Sequence, residues 1–150
     1  MKPSAVSKGK HYTASDVGPP QDWGRFVAEV ASLPGVRVPG KAFLAEALNL
    51  TGMEISVNVM PPGGAVPFRH KHRRHEETYF VIAGHGQMQV DGEVIELQSG
   101  SVVSVMPDGD RTWRNTGSEP LYYIVIQAVA GTLEKTATED GYLSSRTIAW

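Results

Sequence analysis

The chain has 150 residues, of which 41% are hydrophobic, and its 14 basic and 16 acidic residues give a formal net charge of −2. This length predicts one domain with a substantial core, and the small charge gives no general attraction to nucleic acid or membranes. Because cysteine is absent, disulfides, thiolate zinc sites and a cysteine nucleophile are excluded. No segment reaches the ~20 apolar residues that a membrane-spanning helix needs, so a cytoplasmic protein is expected.

Residues 1–40 are rich in Pro, Gly and Ser and are predicted to form an N-terminal arm. One short helix is predicted over Trp23–Leu33, where apolar residues recur at helical spacing and Asp22 is a candidate N-cap. Gly24 weakens this helix. No helix-turn-helix fits into the arm, which disfavours a DNA-binding regulator.

From Lys41 onward, short alternating runs separated by turn signals predict an all-β sandwich or barrel. The predicted strands are Ala42–Leu48, Glu54–Met60, Val66–His72, Glu77–Ala83, Gln87–Val90, Glu93–Leu97, Ser101–Val105, Arg111–Asn115 and Leu121–Ala128. The dipeptide Asp91-Gly92 is a strong signal for a two-residue hairpin turn. We therefore expect a barrel over residues 41–130 and a polar C-terminal tail over 131–150.

The residues with the strongest chemical signal are His70 and His72, followed by Glu77. On a strand, residues two apart face the same side, so both imidazoles point in one direction. Two nitrogen donors and one carboxylate oxygen are a ligand set for a divalent metal. Histidine pairs at this spacing also occur on solvated strand faces, so the pair alone decides nothing.

The spacing of a longer segment resembles the first motif of the cupin superfamily. The matching residues are Gly64, His70, His72, Glu77 and Gly84, and the resemblance continues over roughly residues 52–130. It implies a double-stranded β-helix, or jelly-roll barrel, with the N-terminal residues as an added arm. It also implies a homodimer, because small members of this superfamily often pair through such arms and sheet edges.

The second cupin motif departs from the family pattern at one ligand. The turn Pro107-Asp108-Gly109 and Asn115 are present, but the family's metal-binding histidine falls on Arg111, counting back from Asn115, or on Thr112, counting forward from the turn. Arginine offers only donors and stays protonated, so it cannot bind a metal ion. The fourth ligand of the family is therefore missing.

Two arrangements follow for Arg111. In the first, His70, His72 and Glu77 hold Fe, Mn or Zn with open positions, and Arg111 binds a substrate carboxylate or phosphate. In the second, Arg111 pairs with Glu77 and fills the site, which leaves a metal-free binding cavity.

Two further residues complete the predicted site. His75 is expected at its rim, where it could shuttle protons, and Tyr79 is expected in the cavity, on the same side as Glu77. Glu76 is the rival carboxylate, and it would face the opposite side from Glu77. Apolar alternation cannot decide between the two because both faces of this strand are apolar, so the six-residue spacing to Gly84 selects Glu77. The resemblance implies a metal-dependent enzyme of the dioxygenase, isomerase or lyase type that acts on a small, anionic molecule. The alternative is a non-catalytic small-molecule binder.

Overall fold

The N-terminal part of the computed structural model consists of short paired strands and a 3₁₀ helix. The structure describes residues 1–31, 33–134 and 139–150. Strand β1 (Ala5–Lys8) pairs with β2 (Thr13–Ser15), the 3₁₀ helix covers Pro20–Arg25, and β3 (Val27–Glu29) pairs with β4 (Arg37–Pro39). Among these described residues, no helix is long and apolar enough to cross a membrane.

The remaining elements form two antiparallel sheets that face each other. In chain order they are β5 (Lys41–Phe43), α1 (Ala45–Leu48), β6 (Met53–Met60), β7 (His75–Ala83), β8 (His85–Val90), β9 (Glu93–Gln98), β10 (Val102–Val105), β11 (Arg111–Asn115) and β12 (Leu121–Val129). The larger sheet has the strand order β10-β7-β12-β6-β5 and the smaller has the order β11-β8-β9.

The main core lies between the two sheets. It contains Tyr79 and Tyr123 from the larger sheet and Met88 and Leu97 from the smaller one. Because side chains alternate along a strand, every second residue of each central strand points into this core. The inner surface is therefore mostly apolar, and polar side chains on it stand out.

A second core lies on the outer face of the larger sheet. The N-terminal residues Trp23 and Phe26 are buried there against Val57 and its neighbours on the outer side of β6. The N-terminal arm therefore covers part of the sheet, and residues on both faces of β6 are buried. This double burial explains why apolar alternation alone could not orient the central strands.

The hairpin prediction at Asp91-Gly92 is confirmed. Strands β8 and β9 pair up to Val90 and Glu93. The two turn residues have φ values of 51° and 94°, as a two-residue type I′ turn requires.

The predicted helix over Trp23–Leu33 is wrong. Only its first three residues are helical, as the end of the 3₁₀ helix, and the chain then extends as β3; Ser32 lies outside the described residues. Asp22 makes no capping hydrogen bond, since the position before the helix is Pro19. A single turn of 3₁₀ helix is enough to bury both Trp23 and Phe26, because they are three residues apart. Gly24 does not favour a longer helix.

Two predicted strands are also wrong in part. Ala42–Leu48 is a strand only to Phe43 and then becomes α1, whose sequence AEAL favours a helix. At the start of α1, the side chain of Glu54 accepts hydrogen bonds from the backbone N–H groups of Leu44 and Ala45. Val66–His72 is no regular strand. The segment lies beside β11 and forms an isolated bridge to it, between His70 and Arg111. Pro67 has no N–H to donate, and it therefore interrupts regular strand pairing in this segment.

Candidate metal centre

The three predicted metal ligands converge at one end of the space between the sheets. His70 and His72 lie on the segment beside β11, where the His70 N–H donates to the Arg111 carbonyl at 3.1 Å and the His72 N–H donates to the Pro107 carbonyl at 3.0 Å. Glu77 lies near the start of β7. One ligand atom from each residue can be chosen so that all lie within 4.8 Å of one another.

The closest pair in this cluster is His72 and Glu77. His72 Nε2 lies 3.2 Å from Glu77 Oε1, yet it is buried and has no hydrogen-bond partner of acceptable geometry. Two ligands at about 2.1 Å from one ion lie about 3 Å apart when they subtend a right angle. The spacing therefore fits two donors directed at a shared cation better than it fits a hydrogen bond.

The two oxygens of Glu77 have separate roles. Oε2 accepts hydrogen bonds from the Tyr79 hydroxyl at 2.5 Å and from Arg111 Nη2 and Nε at 2.9 and 3.2 Å. Oε1 has none of these partners and faces His72. The carboxylate is therefore fixed through one oxygen and leaves the other available as a ligand.

The charge state of the cluster follows from these contacts. Burial alone would raise the pKa of Glu77, but interactions with His70, Tyr79 and Arg111 lower that pKa to about 2. The pKa of Tyr79 is raised, by burial first and then by the Glu77 charge. Tyr79 therefore remains a hydroxyl donor to an ionised carboxylate.

His72 is neutral at pH 7, because its burial lowers its pKa below the usual value of 6.5. A neutral imidazole is the form that binds a metal. A buried ring nitrogen on each histidine, His70 Nδ1 and His72 Nε2, has no hydrogen-bond partner in the described part of the chain. These unpartnered nitrogens and the free oxygen of Glu77 fit a divalent cation, so the donor set passes this chemical test.

Arg111 occupies the position of the family's fourth ligand. Its side chain is fully buried. Besides Glu77, it donates through Nη1 to the carbonyl oxygens of Gly109 at 2.8 Å and Pro107 at 3.4 Å. These bonds hold the guanidinium in place, and the expected contact of Arg111 with a substrate stays a prediction. Its pairing with Glu77, expected under the second arrangement, is present.

The remaining predicted site residues lie around the cluster. His75 begins β7, stacks on the His72 ring at 6.3 Å, and has Nδ1 3.4 Å from Gln127 Oε1. Tyr79 packs edge-on against Trp113, with ring centroids 5.1 Å apart. The structure thus places His75 at the edge of the site and Tyr79 inside it, while their chemical roles remain predictions.

Sequence reasoning missed a polar group on the inner side of the larger sheet. Lys41 Nζ donates to Ser56 Oγ at 3.1 Å and to Asn58 Oδ1 at 2.9 Å. Ser56 and Asn58 are each 2% exposed. A signal was present, since polar residues at positions 56 and 58 share the face of Met60 in an otherwise apolar strand, but Lys41 fell just outside the predicted strand.

Comparison with known proteins identifies the family. The Cupin domain model matches residues 56–127. The crystal structure of a cupin protein from Bacteroides fragilis is 36% identical, superposes with a TM-score of 0.66, and aligns over 79% of this chain and 97% of that one. The chain therefore belongs to the cupin family, and the predicted double-stranded β-helix is confirmed.

Two further solved structures share the fold, and one further relative matches in sequence. A predicted oxalate decarboxylase from Thermotoga maritima is 22% identical with a TM-score of 0.56, over 69% of this chain and 91% of that one. A putative sugar phosphate isomerase from Acidithiobacillus ferrooxidans is 23% identical with a TM-score of 0.58, over 72% and 71%. An uncharacterized protein of Methanocaldococcus jannaschii is 33% identical over 60 residues, and the match spans 40% of this chain and 48% of that relative's length.

Proposed function

We propose that the protein is a metal-dependent cupin enzyme that acts on a small anionic molecule. The observation that carries this proposal is the convergence of His70, His72 and Glu77 within 4.8 Å, with a buried and unpartnered nitrogen on each histidine. Three protein ligands leave coordination positions for a substrate, which is the pattern of catalytic rather than structural sites. A bound Fe, Mn or Zn ion would supply Lewis acidity or activate O₂.

The chain's own residues prepare this site in two ways. Arg111 and Tyr79 fix the Glu77 carboxylate through Oε2, which keeps Oε1 directed toward His72. The stacked ring of His75 lies at the edge of the site, within reach of Gln127, where it could move a proton between substrate and solvent. Such fixed ligand partners orient a metal site as strongly as the ligands themselves.

Exposed positive charge near the site supports an anionic substrate. Lys71, Arg73 and Arg74 are exposed on the segment that carries the histidines, and they form no ion pair with other described residues. A cluster of like charges at a cleft raises the local concentration of the opposite charge.

A second candidate function is a non-catalytic small-molecule binder without metal. The observation that favours it is the buried ion pair between Arg111 and Glu77, at 2.9 Å, which already neutralises the carboxylate. Under either function the protein is proposed to be a homodimer, as the family resemblance implies. Light scattering on the purified protein would measure that state.

Metal analysis of protein purified without an affinity tag separates the two functions. We expect close to one divalent metal per chain, and loss of that metal in the His70→Ala, His72→Ala double variant. Glu77→Gln should weaken metal binding tenfold or more, or about 1.4 kcal/mol, while the matched control Glu76→Gln should change it little. Metal-free wild-type protein that takes up none of Mn(II), Fe(II) or Zn(II) would favour the binder instead.

A further inference from the structure

We propose that Lys41 binds an anionic group of the ligand, on the inner side of the larger sheet and across from the metal centre. This inference rests on the proposed function and names the substrate class more closely: a small molecule with one group at the metal and a second, anionic group at Lys41. In this proposal Lys41 provides an anion contact in addition to the one predicted for Arg111.

The strand register places Lys41 on the inner side. Lys41 pairs with Asn58 across β5 and β6, and paired residues of neighbouring strands point to the same face. Asn58 shares its face with Met60, a member of the core between the sheets. The lysine side chain accordingly extends over β6 toward Ser56. Ser56 pairs with Val125 on β12, and Val125 pairs in turn with Tyr79 on β7.

The amine of Lys41 makes its hydrogen bonds with neutral groups. Its two hydrogen-bond acceptors, Ser56 Oγ and Asn58 Oδ1, are neutral, and the amine lies 4.8 Å from the Phe43 ring centroid. No ion pair involves Lys41 among the described residues. An ammonium has three donors, so one N–H remains for a ligand.

The acceptors of this amine are held rigidly. Asn58 Nδ2 donates to the Ser56 carbonyl at 3.0 Å and to the Tyr123 carbonyl at 3.3 Å, so its side-chain oxygen is turned toward Lys41. Such fixation lowers the entropy lost when a ligand binds. Burial lowers the pKa of Lys41 to about 8, against the opposing attraction of Glu77 and Glu54, and an anion bound beside it would stabilise the charged form.

The two anchoring groups define the class of ligand. A carboxylate oxygen is a suitable ligand for a divalent metal, and a second carboxylate accepts the remaining N–H of Lys41. Dicarboxylates are therefore the matching probes.

The test uses Mn(II)-loaded full-length protein and isothermal titration calorimetry. The probes are malonate, succinate and glutarate, with propionate as the matched compound that lacks a second carboxylate. We expect wild-type protein to bind at least one dicarboxylate tenfold or more tightly than propionate. Lys41→Met should remove this preference, while propionate and Mn(II) affinities stay within twofold of wild type. Lys8→Met, which removes one exposed charge from β1, should leave every affinity unchanged.

Lys41→Gln is a second variant for the case in which Lys41→Met does not fold. Its amide can still donate to Ser56 or Asn58 but carries no charge, so this variant should also lose the dicarboxylate preference. The inference is overturned if wild-type protein binds Mn(II) but does not prefer dicarboxylates. It is equally overturned if either Lys41 variant, folded by its thermal melt, keeps that preference. Wild-type protein that takes up no divalent metal overturns the proposed function itself, and the inference with it.

Discussion

At position 111 a buried guanidinium lies directly against the carboxylate that a metal would need. Glu77 is at once an ion-pair partner of Arg111, at 2.9 Å, and the neighbour of His72, at 3.2 Å. The positive charge of arginine cannot be titrated away near neutral pH. It must therefore repel a bound cation, even though it also orients the carboxylate.

Replacing this charge by a neutral ligand should strengthen metal binding. We expect Arg111→His to raise the affinity for Mn(II), Fe(II) or Zn(II) at least tenfold. A unit charge at ~6 Å is worth a few kcal/mol at an effective dielectric constant near 20, and the imidazole adds a donor where similar proteins place their fourth ligand.

Titration calorimetry on both proteins would measure this effect. Arg114→His is the matched control, because Arg114 is exposed on the same strand and bonds to Gln87 at 2.6 Å. Equal metal affinity in wild type and Arg111→His would show that position 111 does not act on the metal.

The sequence could locate the ligands but not the hydrogen bonds around them. Motif spacing placed His70, His72 and Glu77 together, since it depends only on counting along the chain. Whether Arg111 faces a substrate or Glu77 depends on side-chain distances across two sheets. No spacing rule contains those distances, so the spacing alone leaves both arrangements open.

At the level of elements, most regular strands were predictable and three segments were not. Strands such as β8, β9 and β12 end at strong turn signals, and their predicted ranges agree with the structure to within two residues. One error, at Val66–His72, contains Pro67. The other two fall where tertiary packing overrides local pattern, at Trp23–Leu33 and at Ala42–Leu48. In both, the burial of a few apolar side chains against β6 decides the backbone.

Gly84 links the motif strand β7 to β8 and should tolerate no side chain. Its φ is +94°, and an added Cβ would lie 2.5 Å from the Pro120 carbonyl oxygen and 2.8 Å from Leu121 Cα. Gly92 has the same φ of +94° but open space around it. Gly84→Ala therefore combines backbone strain with a clash, whereas Gly92→Ala carries the strain alone.

Urea unfolding of the two variants would separate these costs. We expect Gly92→Ala to lower the free energy of unfolding by about 1 kcal/mol. Gly84→Ala should lower it by at least about 1 kcal/mol more, because neither contacting atom belongs to a flexible side chain. Equal losses would mean that the turn after β7 relaxes freely and does not fix the position of the strand.

Over the whole molecule, the polar groups gather on one part of an otherwise apolar interior. The space between the sheets is filled mainly by residues such as Val81, Met88 and Leu121. Glu77 and Arg111 are buried next to this core. An ionised pair in such surroundings contributes to folding only while both charges persist, so the stability of the metal-free protein should depend on pH.

The metal-free protein should lose stability in acid through Glu77. The folded pKa of Glu77, about 2, lies below its ordinary value of 4.5, so the stabilisation is complete above pH 4.5 and disappears as the pH falls toward 2. Between pH 5 and pH 3 this group should remove about 2 kcal/mol from the free energy of unfolding. Burial also lowers the pKa of His72, so this residue too makes the folded state less stable as the pH falls below 6.5.

Denaturant unfolding at pH 5 and pH 3 would test the role of Glu77. The free energy of unfolding should change less for Glu77→Gln than for wild type, since glutamine does not titrate. Equal losses in the two proteins would mean that the acid sensitivity arises elsewhere.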